Sequence, residues 1–219
     1  MRLAELWRYP VKSMGGEPLQ RADLGPEGIP GDRVVHVEDA TGRIVTSRSR
    51  PRLLLHHGAL GQDGEPLVDG RPWSSAEVAA DVRSAAGPRA RLVRDDGLAR
   101  FDVLPLLVAT DGAVASLGYD RRRFRPNLLI GGVDGLAERA WEGKLLHVGG
   151  AVIRMVSLRQ RCIMTTFDPD TAKQDVEVLL RIHRELGGVL ALDCEVVQPG
   201  RITVGDDVRV GPERTVVQA

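Results

Sequence analysis

The sequence predicts a predominantly β fold of the α+β class, and three patterns carry that expectation. From Met1 to about Gly97, short apolar pieces alternate with Pro10, Gly15, Gly16, Gly25-Pro26, Pro30-Gly31, Gly61 and Gly64. That spacing suits short strands joined by turns and closing into a barrel or sandwich. The second half carries strand-like runs that turn at Gly149-Gly150, Pro199-Gly200 and Gly205-Asp206. Only Asp175 to Leu186 forms a clear amphipathic helix pattern.

The elements follow in order. Leu3, Leu6 and Trp7 open a first strand. Val34, Val35 and Val37 pair with Arg43 to Thr46 across Asp39-Ala40-Thr41-Gly42, a hairpin signal. Ser75 caps a short helix through Glu77, Val78 and Val82. Asp95-Asp96-Gly97 marks a seam, dividing the chain into 1–97 and 98–219. Leu104 to Ala109 is an apolar run, and Asp111 to Leu117 begins a helix with Ala113, Val114 and Leu117 facing inward. Leu128-Leu129-Ile130, Trp141 to Val148 and Ala151 to Leu158 read as strands. In the long helix, Val176, Leu179, Leu180, His183 and Leu186 fall on one face, and Gly187-Gly188 stops it. Ala191 to Val197 and Arg201 to Val210 read as closing strands.

Composition excludes several classes of function. The chain has 219 residues, enough for one domain or two small ones sharing an interface, with 42% hydrophobic and 27% charged residues. Thirty basic side chains balance thirty acidic ones, so no net positive field argues for nucleic acid. No apolar run approaches the ~20 residues that cross a bilayer, and the N-terminus lacks a signal-peptide pattern. A cytoplasmic location with no membrane partner is expected, and there the two cysteines are expected to be unbridged. An iron–sulfur cluster of the common kind takes about four thiolates, so this chain cannot hold one alone. Phosphate-cradling, dinucleotide, nucleophile-elbow, H-E-x-x-H and C-x-x-C motifs are absent from the sequence.

The chemistry concentrates in Ser157 to Thr171, S-L-R-Q-R-C-I-M-T-T-F-D-P-D-T. Arg159 and Arg161 precede Cys162, and nearby guanidinium charge favours the thiolate that attacks or binds metal. In an extended backbone the two arginines share a face and Cys162 points away. Cys162 reads either as such a thiolate or as a small buried hydrophobe ending a strand. Arg121 to Arg125 is either a solvated charge run or, at Arg125-Pro126-Asn127, a forked donor and an amide held at a strand entrance. Lys12 either protects an edge strand or serves a site, and Gly31-Asp32-Arg33 is a turn that could leave an exposed pair. Cys194 reads as core packing. His56, His57, His147 and His183 show no ligand spacing and read as structural.

Taken in order, Tyr9-Pro10-Val11-Lys12-Ser13, Gly31-Asp32-Arg33, Arg123-x-Arg125-Pro126-Asn127, Trp141-x-Gly143, Arg161-Cys162-x-x-Thr165-Thr166-x-Asp168-Pro169-Asp170-Thr171 and Gly200-x-Ile202-x-Val204-Gly205-Asp206-x-Val208 resemble MOSC-domain proteins. The resemblance is to the subgroup with an N-terminal MOSC-associated β-barrel domain, which includes the mitochondrial amidoxime-reducing components. It implies a β-barrel-like domain over 1–97 and a MOSC β-barrel with a few helices over 98–219. It implies that Cys162 is catalytic and ligates molybdenum in a molybdopterin cofactor. Lys12, Ser13, Arg33, Arg125, Asn127 and Arg161, with Arg48, then match positions that hold the pterin and its terminal phosphate. Asp102, Thr110 and Ser116 align only loosely with the family's middle segment.

The implied activity is reduction of an N-hydroxylated or N-oxide small molecule, with electrons from a separate reductase, ferredoxin or cytochrome b5-like protein. The implied alternative is a module that carries the cofactor or transfers sulfur to it without turnover of its own. Cofactor sulfurases use pyridoxal phosphate in another domain, and nothing here resembles that domain. A metal-free thiol enzyme acting through Cys162 is the third reading.

Overall fold

The computed structural model describes residues 1–212. The expected second unit, 98–219, therefore ends in residues outside those described. The N-terminal part runs β1 (Arg2–Arg8), β2 (Glu17–Leu19), β3 (Arg21–Leu24), β4 (Val35–Glu38), β5 (Ile44–Val45), β6 (Gly58–Leu60), β7 (Pro66–Val68), β8 (Arg71–Pro72), α1 (Ala76–Ala86) and β9 (Arg91–Arg94). The rest is β10 (Leu106–Thr110), α2 (Asp111–Leu117), β11 (Leu128–Gly131), β12 (Leu145–Val148), β13 (Ala151–Gln160), α3 (Glu177–Leu186), β14 (Val189–Gln198), β15 (Gly200–Thr203) and β16 (Val208–Gly211). The fold is α+β and mostly strand, with three α-helices among the described residues.

One mixed sheet of eight strands dominates, in the order β16-β12-β13-β14-β10-β11-β1-β2. Its first and last members come from opposite ends of the chain. The β10-α2-β11 unit supplies its parallel pair, and every residue of those two strands is buried. One face packs Leu106, Val108, Leu128 and Ile130 into the main core; the other packs Leu107, Ala109 and Leu129 against Ala191. Burial on both faces accounts for the continuous apolar runs. The sheet curls until Leu3 N donates to Asp206 O at 2.9 Å and Val208 N to Met1 O at 3.0 Å. Closure is thus an isolated Arg2 to Asp207 bridge, and no full strand ladder completes a barrel among the described residues.

The N-terminal segment belongs to both halves of the architecture. Leu3, Leu6, Leu24 and Ile29 pack in the main core, and β3 pairs with β15. The chain then enters a lobe with its own core of Val11, Met14, Val35, Val37, Leu53, Val68, Val78 and Val82. The Tyr9 to Gly16 segment spans the junction, with Val11 bridging Val35 and Gly15 bridging His57.

The expected hairpin and caps are present. β4 pairs with β5, and the Ser75 hydroxyl accepts from Val78 N at 3.3 Å at the start of α1. Ala113 and Leu117 of α2 are buried, with Val114 packed beside them. The packed face of α3 differs from expectation: Val178, Ile182 and Leu186 are buried, whereas Val176 and Leu180 are 57% and 50% exposed and His183 is also exposed. The helix starts at Glu177, leaving Val176 outside, and the i, i+4, i+8 row faces Phe124 and Leu117. Each buried aliphatic there contributes roughly 1.5–3 kcal/mol.

Candidate functional site

A cavity of about 460 Å³ lies between the lobe and the sheet. Lys12 and Ser13 enter from the junction segment, Arg33, Thr46 and Arg48 from the lobe, and Ser157 to Cys162 from the end of β13. Asp102 to Leu104, Arg123 to Arg125, Asn127 and Asp193 complete its wall, with Leu107 and Met164. All eight side chains singled out from the sequence, Lys12, Ser13, Arg33, Arg48, Arg125, Asn127, Arg161 and Cys162, line this one cavity. Thr110 and Ser116 do not. Thr110 caps α2 and donates to Glu138 at 3.1 Å, and Ser116 donates to Ala113 O at 2.8 Å.

Among the described residues, seven cationic side chains, Lys12, Arg33, Arg48, Arg123, Arg125, Arg159 and Arg161, face two lining carboxylates, Asp102 and Asp193. The excess of positive charge is local, because the whole chain is balanced. Asp102 sits among the cations: Lys12 Nζ is 2.7 Å away, Arg48 pairs with it, and Arg159 lies at 3.7 Å. Burial alone would raise its carboxyl, but Lys12 and Arg48 outweigh that and hold it down to about 2. Asp193 bonds Arg159 at 2.8 Å, yet burial wins there and pushes its carboxyl above the usual range.

Two guanidiniums are placed at an energetic disadvantage. Burial draws both Arg125 and Arg161 down to about 10. Arg125 donates to Met14 O at 2.6 Å and lies 4.2 Å from the Tyr9 ring centre, and no carboxylate pairs with it among the described residues. Arg161 donates to Phe124 O at 2.8 Å, while its Nε is buried without a partner. An orphaned buried donor at a cavity wall fits an anionic or acceptor-rich group bound there.

The backbone is also held in a costly state around this cavity. Ser13, Arg33 and Arg125 have φ of 73°, 57° and 55°, three of the six non-glycine residues in the left-handed region among the described residues. Each costs about 1–3 kcal/mol unless its surroundings enforce it. Asp32, fully buried, does much of that enforcement. It accepts from Tyr9 N at 2.7 Å and Asn127 Nδ2 at 3.1 Å, and pairs with Arg33. Asp32 and Arg33 are therefore a buried anchor rather than an exposed turn pair.

Asn127 is a clamp. Its Nδ2 donates to Trp7 O at 3.2 Å as well as to Asp32, and its Oδ1 accepts from Leu107 N at 3.1 Å. Both amide protons are engaged by protein, so a bound group meets this side chain through the remaining Oδ1 lone pair. Lys12 is equally committed, donating to Arg100 O at 2.9 Å besides Asp102, which is not the arrangement of a solvated edge lysine. The arginine run is not solvated either. Arg121 bonds Glu5 at 2.6 Å, Arg122 bonds Asp120 and Asp170, and Arg123 bonds Asp168 at 3.0 Å.

Cys162 is half-buried and lines the cavity together with Arg48. Burial would lower the Arg48 guanidinium, but Cys162 and Asp102 together raise it above its ordinary value. β13 ends at Gln160, so the backbone leaves the strand before Cys162 and turns its side chain into the same cavity as Arg159 and Arg161. An extended continuation would have pointed it away. Thr165 holds this turn through N and Oγ1 bonds to Cys162 O at 3.1 and 2.9 Å. Cys194, by contrast, is fully buried in the main core, and burial pushes its thiol well up.

Sequence reading missed the full set of charges. Arg159, two residues before Arg161 on one strand face, is legible as part of the charge beside Cys162. Asp193 lies beside Cys194 on β14 and reaches the site only through strand pairing with β13. Arg123 is legible as part of the arginine run and its R-x-R-P-N motif, whereas Thr46 carries no local signal.

This fold and this cation-lined, thiol-bearing cavity place the chain in a family. It matches the MOSC N-terminal beta barrel domain over residues 1–115 and the MOSC domain over residues 111–209, and it belongs to the MOSC family that carries both. The human protein named mitochondrial amidoxime-reducing component 1 is 27% identical, the match covering 94% of this chain and 82% of that protein. Human mitochondrial amidoxime reducing component 2 is 26% identical over the same shares. The crystal structure of the YUAD protein from Bacillus subtilis superposes with a TM-score of 0.50 at 15% identity, covering 95% of this chain and 94% of that one, a likeness of fold. Although the relatives are named mitochondrial, no helix among the described residues is long and apolar enough to cross a membrane.

Proposed function

We propose that this chain is a molybdenum-cofactor-dependent oxidoreductase that removes oxygen from small N-hydroxylated or N-oxide substrates. The observation that supports it most is the convergence of one half-buried thiol, Cys162, with seven cationic side chains on a single cavity. Soft sulfur suits a molybdenum centre already held by dithiolene, and the cations suit a pterin ending in phosphate. In this reading Cys162 Sγ is the protein ligand to the metal. Lys12, Ser13, Arg33, Arg48, Arg125 and Arg161 hold the pterin and its phosphate, and Asn127 positions their wall and offers Oδ1. When bound, the cofactor supplies the two-electron reduction.

The protein's own contributions are electrostatic and steric. The lining cations offset the cofactor's negative charge, and Asp102 keeps Lys12, Arg48 and Arg159 from repelling one another. Because the wall is preorganised, little side-chain entropy is lost on binding. Electrons come from a separate reductase, ferredoxin or cytochrome b5-like carrier. The two unbridged cysteines accord with a reducing compartment such as the cytoplasm.

The test compares wild type with Cys162→Ser, both made in a host that synthesises the cofactor, by molybdenum analysis, pterin fluorescence and turnover of an amidoxime with reduced methyl viologen. Wild type should retain molybdenum and turn over, and the variant should lose both. Loaded wild type that is inert towards amidoximes but transfers cofactor or sulfur to an acceptor apoenzyme would replace this reading with the carrier module. Full activity without metal, abolished by alkylating Cys162, would replace it with the thiol enzyme.

A further inference from the structure

A second cavity, of about 260 Å³, lies beyond Arg125 from the first. Among the described residues Arg125 alone lines both, and Cys162 does not line the second. Its walls are rings and apolar side chains: Trp7, Tyr9, Pro18, Leu54 and Pro169. The rings of Trp7 and Tyr9 have centroids 6.5 Å apart and planes within 19°. Glycines let the walls close in. A Cβ on Gly16 would fall 2.4 Å from the Tyr9 ring and from Arg8 O, and one on Gly15 would fall 2.8 Å from the His57 ring.

The charge of this cavity is one-signed. No carboxylate lines it among the described residues. Arg122 is neutralised by Asp120 and by two bonds to Asp170, at 2.8 and 2.6 Å. Arg125 has no such partner; its one hydrogen bond to protein is to Met14 O. Of a guanidinium's five N–H donors, most therefore remain for a ligand.

We propose that this cavity binds a small planar aromatic anion, its ring against Trp7 and Leu54 and its negative end at Arg125. Flat rings stack on tryptophan, and an unpaired guanidinium recognises a carboxylate with forked donors. At ~30 Å³ per water the space equals about nine waters, room for two fused rings and a carboxylate. Neutral rings would lack the ionic contact and cationic ones would be repelled. This site goes beyond the proposed reaction and shares with it Arg125, whose N–H donors serve both cavities.

The experiment uses the full chain with ¹⁵N-labelled tryptophan and 2-naphthoate as probe. Of the three tryptophans, Trp7, Trp73 and Trp141, only Trp7 lines this cavity. Its indole resonance, assigned by its loss in Trp7→Phe, should shift saturably with one-to-one stoichiometry while the other two stay in place. The uncharged analogue 2-naphthamide should bind about tenfold more weakly or worse, because hydrogen bonds to a charged group are the stronger ones. No saturable Trp7 shift up to the solubility limit, equal movement of all three resonances, or equal binding of the amide would overturn the proposal.

Discussion

Asp102→Asn is the most direct test of the electrostatic design of the first cavity. In the folded protein Lys12 and Arg48 hold the Asp102 carboxyl at about 2, against an ordinary 3.8. At ~1.36 kcal/mol per pKa unit that difference would be about 2 kcal/mol for a buried group, but Asp102 is exposed and solvent screening cuts its contribution to about 1 kcal/mol at neutral pH. The sign follows from the direction. A carboxyl depressed by folding contributes fully above its unfolded pKa, and the contribution is lost as pH falls through the folded value. The window therefore opens below about pH 4 and is complete near pH 2. Urea unfolding at pH 7 should show Asp102→Asn less stable by about 1 kcal/mol with an unchanged m-value, and the gap from wild type should begin to shrink only below about pH 4. Retaining the charge in Asp102→Glu should restore part of the loss. Equal stability of wild type and Asp102→Asn at pH 7, or a gap that closes already between pH 7 and 5, would refute the account.

Three further outcomes follow from the same geometry. Cys162→Ser should lose bound molybdenum by metal analysis while its melting temperature without cofactor stays within about 2 °C of wild type, because this thiol faces a cavity and not the core. Arg161→Met should leave the cofactor-free protein at least as stable in urea, since burial disfavours that guanidinium and its Nε has no partner, yet weaken retention of pterin measured by fluorescence. Asn127→Ala should cost about 3 kcal/mol or more in chemical denaturation, because the bonds to Leu107 N, Trp7 O and Asp32 are lost in a fully buried position.

Much of this protein was already determined by local pattern. Glycine and proline spacing set a strand-rich chain, Ser75 capped a helix, and Gly187-Gly188 ended α3, because these depend on backbone geometry within a few residues. Candidate site residues were legible where arginine, lysine and cysteine stood beside turns. Other features were decided only by tertiary structure. Which face of α3 is buried was set by its packing of Val178, Ile182 and Leu186 against Leu117 and Phe124. Cys162 joined Arg159 and Arg161 because β13 stopped at Gln160, and Asp193 met Arg159 because β13 and β14 pair in one register. Asp32 became an anchor because β1 and the strand after Asn127 brought Tyr9 and Asn127 to it from distant parts of the chain. A side chain's type and local turn can be read along the chain. Its charge partners and burial arise from contacts between segments a hundred residues apart, which only the folded packing brings together.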